Sequence, residues 1–248
     1  MVVLVGRATR LARFVEQQQK TYLATATLGV RTSTDDLAGA VLGGSTPGCR
    51  FESPSRQAVD EALQSLLGPG RQRPPTFSAK HVDGERSYAR ARRGEAVSLP
   101  EIDIVVYAVE LIGYGYPDLE FRVTVSPGTY VRALARDLGE RLGTGAHLRG
   151  LRREAIGMHR VEQAVALDAV SAEVLLPPLA VVGHLPRIEV TAAEAKALGF
   201  GQSLRRTSGP AEGRNAQPVA VTSDDHLIAI ARWSDDGLRP EVVLEAAG

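Results

Sequence analysis

The chain has 248 residues, with 29 Lys and Arg against 29 Asp and Glu, so its formal net charge is zero and its overall field argues neither for nor against a nucleic-acid partner. Hydrophobic residues make up 44 %, enough for a sizeable core, and the length favours one main domain with a small appendage. The single cysteine, Cys49, excludes an internal disulfide and fits a reducing, cytosolic setting, and no apolar run approaches the ~18 residues of a membrane helix.

In chain order, MVVLV is too short for a signal-peptide core and reads as a buried strand over 2–5, closed by Gly6. TRLARFVEQQQK follows as a helix with Leu11, Phe14 and Val15 on one face. KTYLATATLGV (20–30) alternates, with Tyr22, Ala24, Ala26 and Leu28 on one side, and reads as a strand. RTSTDDLAG (31–39) is polar and without period, a loop. Ser53-Pro54 suits a helix start, with Val59, Ala62, Leu63, Leu66 and Leu67 as the buried stripe and Gly68-Pro69-Gly70 as the stop.

Residues 71–100 change character. Seven basic residues (Arg71, Arg73, Lys80, Arg86, Arg90, Arg92, Arg93) face three acids (Asp83, Glu85, Glu95), with few large apolar side chains. The stretch reads as a protruding basic loop with a short helix near 85–93. Strands are expected at 102–112 and in DLEFRVTVSP, where Leu119, Phe121, Val123 and Val125 share a face. Two adjacent strands feeding a helix indicate an α+β fold with a mixed or antiparallel sheet. In SPGTYVRALARDLGERLG, Thr129 is the expected N-cap, Val131, Leu134, Ala135, Leu138 and Leu142 the buried stripe, and Gly143 the stop. A proline-punctuated crossover puts a domain boundary near 185. Beyond it come a capping box from Thr191 to Glu194, a loop rich in Gly, Ser and Asn, and strands at 218–222, 227–233 and 240–245: a small β-rich, barrel-like module.

Five scattered histidines (His81, His147, His159, His184, His226), without an HExxH or a paired CxxC, argue against a metal site. No GxxxxGK[ST] loop and no GxGxxG after a strand supports a nucleotide cofactor. Tyr130 and Arg132 are more specific. They sit on a first helical turn, where unpaired N–H groups and the helix dipole favour an anion, and an arginine there can grip a carboxylate through two hydrogen bonds. Spacing alone leaves open a plainer reading, a surface arginine beside a half-buried tyrosine. The basic stretch with Phe77 and Tyr88, together with Arg149, Arg152 and Arg153, forms two candidate phosphate-contacting stripes.

Three stretches in order, KTYLATATLGVRTSTDDLAG, PPTFSAKHVDGERSYARARRGE and SPGTYVRALARDLGERLGTGAHLRGLRR, resemble signature segments of the TruB-type tRNA pseudouridine synthases. With a C-terminal segment resembling a PUA-like module, the likeness covers essentially the whole chain. The resemblance implies a pseudouridine synthase catalytic domain over 1–185 with a thumb-like insertion near 71–100, and a PUA-like domain over 186–248. It implies isomerisation of a uridine in the T-loop of tRNA, on a base flipped from its stack, without metal or cofactor. The expected protein is cytoplasmic and monomeric, binds the tRNA T-arm and no membrane.

Matched position by position, the resemblance makes Tyr22 the ring that stacks on the target base and Tyr130 the residue that handles the C5 proton. Arg132 becomes the partner of the catalytic aspartate, and Leu151 an apolar contact to the flipped base. Lys80 belongs to the thumb; Lys20, Arg31, Arg90, Arg152 and Arg153 are phosphate or base-edge contacts. The sequence departs from the family pattern in one respect. The family's nucleophilic aspartate stands in a Gly-Thr-Leu-Asp-Pro motif ahead of the strand that aligns with MVVLV, and Asp35 and Asp36 align elsewhere. Arg132 is therefore expected to be half of an ion pair whose acid lies upstream of Met1. Either the start is placed too late in a complete synthase, or the chain is truncated. The second case would leave a non-catalytic tRNA-binding or folding-assistance protein using the same cleft.

Overall fold

The computed structural model describes residues 1–44, 53–77, 81–82, 85–86, 99–205, 217–234 and 237–244. The chain divides into two compact units, Gln18–Glu162, and Met1–Gln17 with Gln163–Gly248.

The first unit is built on β1 (Lys20–Leu28), β4 (Gly68–Gln72), β7 (Ile102–Gly115), β8 (Asp118–Val125), β9 (Ala146–Ile156) and β10 (His159–Arg160). They form one sheet in the order β10-β9-β1-β8-β7-β4, every pairing antiparallel. The period-2 pattern decides which face is covered. Ala24, Ala26 and Leu28 of β1 and Leu119, Phe121, Val123 and Val125 of β8 are all at most 1 % exposed. The same cluster takes in Val59 and Leu63 of α2 (Arg56–Gln64) and Val131, Leu134, Ala135 and Leu138 of α3 (Val131–Arg141), so both helices lie on that face. The other face is polar: Thr21 and Thr124 share a 2.9 Å hydroxyl hydrogen bond, and Arg122 pairs with Glu110 and Glu154. A hairpin of β2 (Val30–Thr32) and β3 (Val41–Gly44) leaves the end of β1, and β5 (His81–Val82) pairs with β6 (Glu85–Arg86).

Local chemistry moves two helix starts. The N-cap of α2 is Ser55, whose hydroxyl accepts from the Ala58 N–H at 3.1 Å, and not Ser53. The cap must precede the third helical N–H by three positions, and of the two serines Ser55 does. The N-cap of α3 is Tyr130, not Thr129, and no side chain of its own turn caps it. Thr129 instead shares a 3.1 Å bond with Ser126 in the preceding turn. Gly143 closes α3 at φ +70°, as expected. The helix foreseen near 85–93 is replaced by strand at 85–86, and its remainder lies outside the described residues.

In the second unit β11 (Arg187–Glu189), β12 (Val219–Ser223), β13 (His226–Ser234) and β14 (Gly237–Val243) form a four-stranded sheet in that order. Here α4 is Pro178–Val181 and α5 is Ala192–Gly199, which opens with the complete Thr191–Glu194 capping box. Residues 2–5 are not a strand. A strand needs a neighbour to satisfy its N–H and C=O groups, and among the described residues none lies alongside. Val3 and Val5 are 66 % and 61 % exposed, and a 3-10 helix, Gly6–Leu11, leads into α1 (Ala12–Glu16). The opening segment groups with the C-terminal strands, unlike the 1–185 and 186–248 division expected above. Arg7 and Arg10 donate to the carbonyls of Leu244 (3.0 Å) and Val243 (2.9 Å), and Arg13 pairs with Glu241 at 3.0 Å. Contacts this distant in sequence leave no periodic trace in either segment.

Candidate active site

Four elements converge on one cleft of the first unit. Strand β1 presents Tyr22 on its core face. Its antiparallel neighbour β9 sets Arg153 opposite Tyr22 and Leu151 opposite Ala24. The first turn of α3 contributes Tyr130 and Arg132, and the polar loop after β2 contributes Asp36. The cavity has a volume of about 530 Å³, and its lining includes Tyr22, Asp36, Tyr130, Arg132, Arg149 and Leu151. That volume lies in the ~300–1,000 Å³ range of small-molecule sites. Another cavity, about 420 Å³, lies within the second unit between Val5, Pro177, Leu179, Leu227 and Leu244, and none of the expected site residues lines it.

Arg132 is not an orphan. Its Nη1 donates to the Asp36 carboxylate at 3.0 Å and to the Thr34 carbonyl at 3.4 Å, and its Nη2 donates to the Phe77 carbonyl. Within this chain the guanidinium is not left unpaired: the polar loop, which carried no periodic signal, supplies a carboxylate. The loop is held in place. Asp36 bridges Leu148 of β9, the Leu148 N–H donates to the Asp35 carbonyl at 2.9 Å, and Asp35 sits at φ +60°, a conformation that costs a non-glycine residue energy.

The two neighbouring aspartates are pushed in opposite directions. Asp35 turns to Arg136 at 2.8 Å. Burial drives its carboxyl above the usual range, outweighing the opposing pull of Arg136. Asp36 is also pushed up by burial, but hydrogen bonds from Thr34, the Ala38 N–H and Arg132 overcome that and hold it below the usual range. The cleft therefore presents Asp36 as an ionised, oriented carboxylate, the only acid among the described lining residues. For Tyr22, burial raises the phenol's pKa and the Arg153 guanidinium, 5.8 Å from the ring centroid, only partly offsets this. A neutral ring suits stacking better than proton transfer.

The remaining expected contacts are spread around the rim. Lys20 on β1 donates to the Gln18 carbonyl at 2.8 Å. Arg31 on β2 is exposed, and its aliphatic stem passes over Gly145, where a Cβ would lie 2.6 Å from Arg31 Cγ. Arg152 and Arg153 are exposed on β9. Lys80, Tyr88 and Arg90 lie outside the described residues. Among the described residues no group of three or more His, Cys, Asp or Glu side chains is arranged to hold a metal ion, and no helix is long and apolar enough to cross a membrane. Sequence reasoning missed Asp36, Arg149 as a wall of the cleft, and Gln72, whose amide reaches the Tyr130 backbone. The Thr34-x-Asp36-x-Ala38 spacing of an Asx turn was the available signal for Asp36.

Comparison with known proteins gives a consistent result. Residues 1–131 match the TruB family pseudouridylate synthase N-terminal domain, and residues 132–177 match the tRNA pseudouridylate synthase B C-terminal domain. The chain is 37 % identical over 246 residues to tRNA pseudouridine synthase B of Burkholderia mallei (strain NCTC 10247), covering 95 % of this chain and 80 % of that protein. It is 38 % identical over 252 residues to the protein of the same name from Parasynechococcus marenigrum (strain WH8102), covering 99 % and 83 %. Among solved structures, it is similar to a chain of an H/ACA RNP bound to a substrate RNA containing 2′-deoxyuridine (TM-score 0.71, 19 % identity, 98 % of this chain and 71 % of that one). It is equally similar in fold to a chain of a Cbf5-Nop10-Gar1 complex, with TM-score 0.71, 21 % identity and the same coverage.

Proposed function

The chain belongs to the TruB family of pseudouridine synthases, which are isomerases, and we propose that it converts a uridine in the T-loop of tRNA to pseudouridine in the cleft between β1, β9 and α3. One observation carries this reading: Tyr22, Tyr130, Leu151 and an arginine–carboxylate pair line a single cavity. The reaction breaks the C1′–N1 bond, turns the base over and joins C1′ to C5. C5 gives up a proton and N1 gains one, so no atom is added or lost overall. The target must leave its stack first, at a cost of a few kcal/mol. Tyr22 stacks on the extruded ring, Leu151 packs against it, and Tyr130 handles the C5 proton. Arg132 orients a carboxylate toward the sugar.

The 248 residues hold no Gly-Thr-Leu-Asp-Pro stretch, and Arg132 already holds Asp36. The second reading, a tRNA-binding or folding-assistance protein, is selected only if turnover fails. Incubation with a T-arm stem-loop, followed by a carbodiimide-dependent primer stop, separates the cases. Pseudouridine formation is the expected result, and it would mean that these 248 residues themselves supply the acid that acts on the sugar. Tight binding without product selects the second reading, and failure to bind discards both.

The rim residues Lys20, Arg31, Lys80, Arg90, Arg152 and Arg153 serve as phosphate or base-edge contacts for a monomeric cytoplasmic protein that carries a PUA-like C-terminal domain in addition to the thumb-bearing one. Replacing Lys80 or Arg90 with alanine should weaken T-arm binding at every salt concentration. The slope of log affinity against log salt should flatten by about 0.7–0.9 per lost phosphate contact. An unchanged slope in a titration from low to moderate salt would remove that residue from the interface.

A further inference from the structure

Gln72 is the last residue of β4, only 1 % exposed, and its amide is spent on a single distant residue. Its Oε1 accepts from the Tyr130 N–H at 2.9 Å, and its Nε2 donates to the Tyr130 carbonyl at 3.1 Å. This is a two-point clamp on the backbone of the residue that begins α3. In the other unit, α5 shows how such a start is usually completed: Thr191 and Glu194 of the same turn cap each other. In α3 the corresponding third helical position is Ala133, which has no group to reach back, and Tyr130 has no side-chain cap bond. The missing capping function comes from another strand. Gln72 is fixed in turn by its pairing with Ile102 of β7. Among the described residues, no hydrogen bond holds the Tyr130 phenol, so the ring's position rests on where its backbone is held and on packing.

We infer that Gln72 is a positioning residue that sets the Tyr130 ring in register with the flipped base by clamping both polar groups of the Tyr130 backbone. The inference rests on the reading of Tyr130 as the C5-proton residue. It differs from a general packing role because its geometry is directional. The clamp needs one acceptor and one donor in that order, and only an amide or a protonated acid of this length supplies both. Removing it leaves a half-buried N–H unpaired at the start of the helix that carries Tyr130 and Arg132.

The test uses the full chain labelled with 3-fluorotyrosine, read by fluorine NMR with and without a T-arm stem-loop, so it does not depend on turnover. Tyr130→Phe assigns the Tyr130 line among the six tyrosines. In the unsubstituted chain that line is expected to be single and to shift on adding RNA. In Gln72→Met, similar in size but without either hydrogen bond, the Tyr130 line should broaden or split and its RNA-induced shift should fall by more than about half. The Tyr114 line and the T-arm affinity should change less than about twofold. Gln72→Glu supplies the second arm. Ionised, it accepts from the N–H but cannot donate to the carbonyl; protonated, it does both. Its Tyr130 line should resemble that of Gln72→Met at high pH and return toward the unsubstituted position as pH falls, a recovery that Gln72→Met lacks. A Tyr130 line that ignores both substitutions overturns the inference. So does a general disturbance of the Tyr114 line with equal loss of affinity, which marks Gln72 as structural only. If the Tyr130 line of the unsubstituted chain does not respond to RNA while the Tyr22 line does, the site reading itself is wrong, and the inference falls with it.

Discussion

Arg132→Ala is expected to lower pseudouridine formation by about a hundredfold or more, with T-arm affinity unchanged to within about threefold. The asymmetry follows from what the guanidinium touches. Its described partners are all protein groups: the Asp36 carboxylate at 3.0 Å, the Thr34 carbonyl and the Phe77 carbonyl. On the proposed reading these contacts orient a carboxylate in the cleft rather than hold phosphate, so the loss is expected in rate rather than in affinity. Breaking a buried arginine–carboxylate pair costs roughly 3–5 kcal/mol, and each ~1.4 kcal/mol of lost transition-state stabilisation is tenfold in rate. The side chains here are 23 % and 29 % exposed, so the lower end of that range is the appropriate one. Single-turnover rates and filter-binding affinities measured on one preparation decide the point. Parallel losses in both would reassign Arg132 to the RNA backbone.

The same substitution has a pH signature. Burial raises the Asp36 pKa, and the Thr34, Ala38 and Arg132 bonds bring it below its ordinary value. A carboxyl held low in the folded state adds stability above its unfolded pKa, near 4, and that stability is lost as pH falls through the folded value. Arg132→Ala removes part of the lowering. The stability gap between the two proteins should therefore be full at neutral pH and close below about pH 4. Asp35 behaves oppositely: burial holds its carboxyl high, so its ionisation weakens the fold rather than supporting it.

The elements legible in the sequence are those whose own period reports their environment. Alternation in β1 and β8 and the Val131–Leu138 stripe of α3 each name a buried face, and the structure buries those faces. The hydroxyls were read less well because several candidates competed locally. Ser53 and Ser55 flank one proline, and only the register of the helical N–H groups chooses between them. The MVVLV run shows the limit of composition, since a β-prone sequence becomes a strand only where an edge is free to pair with it.

The site was half legible for a related reason. Tyr130 and Arg132 announced themselves by standing at a helix start, whereas Asp36 lies 96 positions from the arginine it binds, in a loop with no period. Gln72 is further still from any signal. A glutamine before two prolines reads as a polar loop residue, and its burial depends on α3 folding back over the end of β4. Long-range polar partners of this kind are fixed by tertiary geometry alone.

Gly139→Ala is expected to destabilise the chain by roughly 2–4 kcal/mol, although alanine inside a helix ordinarily gains about 1 kcal/mol over glycine. The sign is set by what surrounds the missing side chain. A Cβ at Gly139 would lie 2.3 Å from the Ala146 nitrogen, 2.4 Å from the Gly145 carbonyl carbon and 2.6 Å from the Ala146 Cβ. These atoms belong to the start of β9 and the turn before it, and they cannot rotate away. The Gly139 carbonyl is also tied to that turn, accepting from the Thr144 and Gly145 N–H groups at 3.0 and 2.9 Å. The helix must therefore move off the strand. Because α3 carries Arg132 and the start set by Tyr130, while β9 carries Arg149 and Leu151, that movement widens the cleft between them. A misplacement of about 1 Å can cost on the order of a hundredfold in rate, so the folded fraction of the variant should turn over slowly as well. Gly143→Ala is the control. It too replaces a glycine near the end of α3, at φ +70°, but a Cβ there meets no atom within 4 Å. It should lose only the ~1–2 kcal/mol of a left-handed residue and keep its rate. A urea midpoint for Gly139→Ala at or above that of the unsubstituted chain would mean that helix propensity wins, and that α3 and β9 do not approach as closely as the register of the site requires.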